Sequence, residues 1–290
     1  MKLMLKIAAL FIPILVIMFY FLGKPSDPEP AAENSSTTAS AEGQLQKMAS
    51  LPAQVSESSG VEYVADKNAY LTHNDAGNKP LLYLVNEQGK LLQTITLKLP
   101  NVDWEDLARD EAGNIYVADT GNNDNKRRSL AVYKLDINNP EKIEAIRFTY
   151  EDQKEYPPAK KDMNFDVEAI FWHSGKLYLV SKDRGREQTA KVYELPDTGG
   201  QYKAKLVGKH DLGVPVTGAA SSPSGSQVAL VSEGMLHIFQ NVDSPASFFE
   251  GDYQKVPIKR AGQTEAVTFK DEKTLVITSE DGGMYRYTLK

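Results

Sequence analysis

The pattern of apolar and polar positions divides the chain into three stretches. Ile7 to Gly23 is an uncharged apolar run of 17 residues, and residues 24–43 are polar with no periodicity. From Gln44 to Lys290, short apolar segments alternate with polar turns. In this third stretch one phrase recurs five times: a short opening segment, a tight turn, then an apolar strand ending in small polar residues. The openings are Val61-Glu62-Tyr63, Trp104-Glu105-Asp106, Val167-Glu168-Ala169, Thr217-Gly218-Ala219 and Thr264-Glu265-Ala266. The second segments read AYLTHND, IYVADTG, LYLVSKD, VALVSEG and LVITSED. Runs of Val, Ile, Leu, Tyr and Thr bounded by Gly, Asn, Asp and Pro predict β-strands.

Each copy has room for four strands. In the first they are expected at residues 60–65, 69–73, 81–86 and 90–98, and in the second at 105–109, 115–119, 130–135 and 142–150. Successive openings lie 43, 63, 50 and 47 residues apart. Four-stranded units at this period are the signature of a β-propeller. The last unit supplies three strands before Lys290. Gln44–Leu51 resembles the outer strands of other units and is expected to complete it, which removes an open edge. The fold class expected is all-β, a propeller of five four-stranded blades. Six is the alternative if the long interval, with its insertion TYEDQKEYPPAKKDMNF, hides a degenerate unit.

The apolar N-terminal run changes the picture of where this domain works. Its 17 residues reach roughly 25 Å as a helix, a little short of a hydrocarbon core. Lys2 and Lys6 precede it, so the positive-inside bias places the N-terminus in the cytoplasm and the remainder outside. The domain organisation expected is a signal anchor over 1–23, a flexible Pro/Ser/Thr/Ala tether over 24–43 and a propeller over 44–290. The localisation expected is a single-pass bacterial cytoplasmic membrane protein with its propeller in the periplasm or outside. A cleaved signal peptide is the competing reading, with Ala39-Ser40-Ala41 as a distant candidate site. The net charge of −6 argues against nucleic acid as a partner, and the absence of cysteine excludes disulfides and thiolate chemistry.

The segment Gly113–Asn123, GNIYVADTGNN, resembles the NHL-type propeller phrase. With the N-terminal apolar segment, Ser59–Glu62, Asp103-Trp104-Glu105-Asp106 and Phe165–Ala169, the layout resembles the bacterial SdiA-regulated family. Phytase-like and esterase-like propellers are its neighbours. The resemblance implies a propeller and, by analogy, a bound divalent cation. It implies no particular activity.

If first strands begin at one face, the loops after second strands return to it. One rim then gathers Glu62, Glu105, Asp106, Glu168 and Glu265, with His73, Asn74, Asp75, Asp119, Asn122, Asn123, Lys182, Asp183, Arg184, Glu233, Glu280 and Asp281 around them. Glu62, Glu105, Glu168 and Glu265 are the candidate metal ligands. Crowded carboxylates suit a hard cation such as Ca²⁺. The competing reading is structural, with each Glu fixing its strand start. Asp119-Thr120-Gly121-Asn122-Asn123 lacks the ligand alternation of an EF-hand and reads as a capped turn. Lys182, Asp183, Arg184 and Arg186 read as a solvated mixed-charge loop, with an anion grip as the alternative. Gly218 interrupts the ring and is expected to open a gap for a ligand. Trp104, Phe165, Phe171 and Trp172 are read as packing aromatics. No H-E-x-x-H, G-x-S-x-G or phosphate-loop motif occurs, so catalytic residues stay unassigned. A membrane-tethered module binding a protein or small molecule is the first expectation. A metal-dependent lactonase, esterase or phosphatase is the second.

Overall fold

The computed structural model describes residues 44–290. The expected anchor, tether and cleavage site lie outside the described residues. No helix among the described residues is long and apolar enough to cross a membrane.

Twenty strands make up the domain. β1 (Leu45–Ser50) comes first. The next four, β2 (Ser58–Val64), β3 (Ala69–Asn74), β4 (Leu81–Val85) and β5 (Leu91–Thr96), form one antiparallel meander. β6 (Trp104–Arg109), β7 (Ile115–Asp119), β8 (Leu130–Leu135) and β9 (Ile143–Tyr150) form the second. The third is β10 (Asp166–His173), β11 (Lys176–Lys182), β12 (Thr189–Pro196) and β13 (Gly200–Asp211). β14 (Gly218–Ser221), β15 (Val228–Ser232), β16 (Met235–Gln240) and β17 (Asp252–Pro257) make the fourth. β18 (Thr264–Asp271), β19 (Thr274–Ser279) and β20 (Gly283–Thr288) make the last, which β1 completes by pairing antiparallel with β20. The N-terminal segment therefore supplies the strand that the C-terminal unit lacks. The insertion at 151–165 contains no strand, only the short turn Lys160–Asp162.

The first strands of the meanders pack in a closed circuit, β2 on β6, β6 on β10, β10 on β14, β14 on β18 and β18 on β2. Each junction between successive meanders holds its own apolar core. Both faces of each sheet are therefore covered. This explains why β7 (IYVAD) and β15 (VALVS) are buried at every position rather than alternating. The outer strands are more exposed, and β9 alternates between buried and exposed positions over part of its length. This is the β-propeller architecture. One junction has an extra link, because the long outer strand β13 pairs in parallel with β9 and merges two meanders into an eight-stranded sheet.

The inner edges of β2, β6, β10, β14 and β18 face the axis with no further strand to pair with. Their backbone groups need other partners. Small hydroxyls supply many. Ser59 Oγ donates to the Glu105 carbonyl at 2.7 Å, Thr120 Oγ1 to that of Val167 at 2.8 Å, and Thr217 Oγ1 to that of Thr264 at 2.8 Å. Gly218 lies where β14 runs close against the backbone of β18. A Cβ there would stand 2.5 Å from the Glu265 carbonyl oxygen. The glycine thus permits close approach, and the gap expected from the sequence is absent.

Candidate functional site

In four inner strands the pairing register slips by one residue at the same level. The slips fall between Ser58 and Gly60, Trp104 and Asp106, Val167 and Ala169, and Thr264 and Ala266. The extra residue of each bulge is Ser59, Glu105, Glu168 or Glu265. A bulge re-aims its side chain out of the pleat, and here all four border a cavity of about 200 Å³ at the mouth where inner strands begin.

Of the sequence candidates, this cavity is bordered by Asp75, Glu105, Asn123, Glu168, Lys182, Arg184, Glu265 and Glu280. Glu62 is placed elsewhere. The true counterpart of Glu105 in the first unit is Ser59, three residues earlier, so Glu62 lies toward the opposite mouth, opposite Leu71. His73 is buried, its ring edge-on to Trp104 with centroids 5.6 Å apart. Asn74 is a strut, accepting from Glu57 N and donating to the Gln54 carbonyl. Asp119 accepts from Arg127 at 2.8 Å, and Asn122 donates to the Phe165 carbonyl and accepts from Arg127 N. Asp183 caps its loop by accepting from the backbone of Gly185, Arg186, Gln188 and Thr189. Glu233 is exposed, because the β15–β16 hairpin closes through Glu233 and Gly234 alone and sends no loop to the axis. Asp106 is fully buried inside the channel rather than on its rim.

Sequence reasoning missed Glu57, Asp103, Asp166 and Gln263. Asp103 and Glu57 precede their strands and border the cavity, and Asp166 stands beside Glu168. Carboxylate oxygens of Asp75, Asp103 and Glu105 lie within 4.8 Å of one another, as do those of Glu105, Asp166 and Glu168. Glu105 is shared by both groups. The second group is already neutralised by the loop read as solvated. Lys182 donates to Glu168 Oε2 at 2.9 Å, and Arg184 donates to Asp166 Oδ2 at 2.5 Å and to Glu168 Oε1. Among the described residues Asp75 and Asp103 make no ion pair, while Lys182 and Arg184 are held by Glu168 and Asp166.

Among the described residues no hydrogen-bond donor reaches the Glu105 carboxylate, though the residue is only 6% exposed. Burial, with Glu168, Asp166, Asp75 and Asp103 around it, holds this carboxyl well above the usual carboxylate range. Burial and the neighbouring Asp75 push Asp103 up to about 6. Glu265 is raised as well, by burial. Glu62 reaches about 8 by burial, against Thr268 and Arg109.

These shifts have a sign. Carboxyls raised on folding bind protons more tightly in the native state, so their stabilisation is full below the unfolded value near 4.5 and is lost as pH climbs to about 8. His73 and His237, held near 4 by burial, work the other way, but only below their ordinary 6.5. In chelator, the unfolding temperature is therefore expected to fall between pH 6.5 and 8. Differential scanning fluorimetry across that window checks this, and a temperature that rises through it would contradict the assignment.

No protein-family model matches the chain, and no curated protein does. Among solved structures, it is similar to a catalytically inactive virginiamycin B lyase from Staphylococcus aureus with quinupristin. Identity is 13% and the TM-score 0.41, covering 80% of this chain and 66% of the lyase. A PQQ-bound aldose sugar dehydrogenase from Streptomyces coelicolor is 12% identical with a TM-score of 0.49, over 84% of this chain and 96% of that one. The β-propeller domain of Cps50 (Swd1) from Myceliophteria thermophila is 11% identical with a TM-score of 0.43, over 81% and 97%. This chain thus spans just under two thirds of the lyase's length. At these values the likenesses carry no functional argument, and the propeller assignment rests on the strand pairings of this chain.

Proposed function

We propose that the domain is a five-bladed propeller that binds a divalent cation at the bulge-lined mouth and, through it, an oxygen-rich small molecule or protein carboxylate. Glu105 carries this reading. A nine-tenths buried carboxylate with no donor, shared by two carboxylate groups, calls for a proton or a cation. The donor set is entirely oxygen, which fits Ca²⁺ or Mg²⁺ rather than a softer metal. Asp75, Asp103 and Glu105 would hold the ion, because Asp166 and Glu168 are already engaged by Arg184 and Lys182. The N-terminal apolar run would keep this binding module at the outer face of a cytoplasmic membrane, with the polar tract as its tether.

Saturating Ca²⁺ is expected to stabilise the domain. At a hundred times the dissociation constant the gain is about 2.7 kcal/mol, or about 5–10 °C in unfolding temperature for a domain of this size. Glu105→Gln and Asp103→Asn should remove most of that shift, while Glu280→Gln should keep it. A melt insensitive to Ca²⁺, Mg²⁺ and chelator alike would defeat the proposal.

A further inference from the structure

The five inner strands run in one sense, so their last residues collect at the opposite mouth. A second cavity opens there, about 350 Å³, bordered among others by Glu62, Tyr63, Arg109, Trp172, Thr268 and Phe269. Its walls are aromatic where those of the first mouth are carboxylate. They are also held in place. The Trp172 indole donates to Asp197 Oδ2 at 2.8 Å, the Tyr63 hydroxyl donates to Asn68 Oδ1 at 2.9 Å, and Phe269 belongs to the apolar core.

Arg109 is the unusual group. Its side chain is only 24% exposed, and its Nε–H is buried with no acceptor. None of its other donors makes a hydrogen bond among the described residues. The nearest carboxylate, Asp66, stands 3.8 Å away and is itself largely exposed. A guanidinium presents a planar fork of donors suited to a carboxylate, and leaving it unmatched is costly.

Other charges near this cavity are spent or distant. Lys270 is bound to Glu87 at 2.6 Å. Asp110 accepts from Asn114 and Tyr116. Glu111 is exposed at the border. Glu62 accepts from the Thr268 hydroxyl at 3.1 Å and from Tyr63 N at 3.2 Å. Burial pushes its carboxyl up to about 8, against the pull of Thr268 and Arg109.

We propose that this second mouth binds a small hydrophobic carboxylate, its apolar body between Tyr63, Trp172 and Phe269 and its carboxylate on the guanidinium of Arg109. The site is independent of the cation at the other mouth. It gives the propeller two chemically distinct ends, one for hard cations and one for an amphiphilic acid.

Hydrocinnamate, its neutral amide and phenylpropylamine are the probes, titrated into the full chain by calorimetry and by tryptophan fluorescence. The chain has two tryptophans, and Trp104 is fully buried, so a ligand-induced change reports Trp172. Hydrocinnamate is expected to bind one to one, about tenfold or more tighter than the amide, the amount one charge-assisted hydrogen bond supplies. Arg109→Gln should weaken it by about the same factor, and Glu105→Gln should leave it unchanged. Equal binding of acid and amide, preference for the amine, or no binding of the acid at millimolar concentration would overturn the proposal. The acid–amide comparison on the unaltered chain stands whether or not Arg109→Gln folds.

Discussion

Replacing Asp106 by leucine is expected to destabilise the domain more than any conservative change at either mouth. The Asp106 carboxylate accepts from Leu107 N at 2.8 Å, Ile170 N at 2.9 Å and Ala219 N at 3.4 Å. Those donors belong to β6, β10 and β14, so one side chain ties three inner strands together across the channel. Leucine fills similar space but accepts nothing. Three buried N–H groups would lose their partner at about 1–3 kcal/mol each, roughly 3–9 kcal/mol in all against a typical total of 5–15. Asparagine keeps one acceptor oxygen and should lose about half as much. Burial raises this carboxyl well above its ordinary value, and its backbone donors oppose that rise. Urea unfolding of both variants decides the matter: a leucine variant as stable as the parent would mean that water or backbone rearrangement satisfies the channel.

The second large effect is expected from removing β1. A chain starting at Pro52 loses Leu45 and Leu51, both buried, and the pairing of β1 with β20 from Gly283 to Tyr287, leaving β20 bonded only to β19. The two leucines alone contribute about 3–6 kcal/mol of apolar burial. The exposed β20 would also present an unpaired edge beside buried Met284, Tyr285 and Tyr287. The expected product either fails to melt cooperatively by circular dichroism or elutes as an oligomer from size-exclusion chromatography. A monomer with the parental unfolding temperature would show that the ring closes without its N-terminal strand.

Much of this architecture is legible in the chain because both faces of each sheet are buried. Middle strands such as β7 and β15 are then mostly apolar runs, and β7 and β8 fall where the residues predict, Ile115–Asp119 and Leu130–Leu135. The completing strand is legible because Gln44–Leu51 resembles the outer strands of other units and the last unit supplies only three strands of its own; it pairs with β20. The site was harder to read. A bulge adds a residue without changing composition, so nothing in Ser59-Gly60-Val61-Glu62 reveals that Ser59, not Glu62, stands with Glu105. The Val-Glu pair at 61–62 imitates the one at 167–168 and draws the alignment three residues off. Asp103 and Glu57 precede their strands, where a repeat-based reading does not look. The loop carrying Lys182 and Arg184 resembles a solvated turn by composition. Only the folded geometry shows both cations turned inward onto Glu168 and Asp166. Asp106 looked like one more rim acid because sequence distinguishes neighbours along a strand but not depth along an axis.

The parallel pairing of β13 with β9 makes the ring mechanically unequal. An elastic ring under thermal agitation yields at its least reinforced joint. Most junctions are held by apolar packing and a few hydroxyl links near the axis, whereas the second and third meanders are also laced at the periphery from Gly200 to Ala204. That pair behaves as one stiff arc, and the compliance of the whole circle is left to the remaining seams. The neutralised carboxylates Asp166 and Glu168 sit on this arc, with Glu105 at its edge facing Asp75 across a softer seam. A cation bridging Glu105 to Asp75 would therefore act as a clasp on a joint that can give.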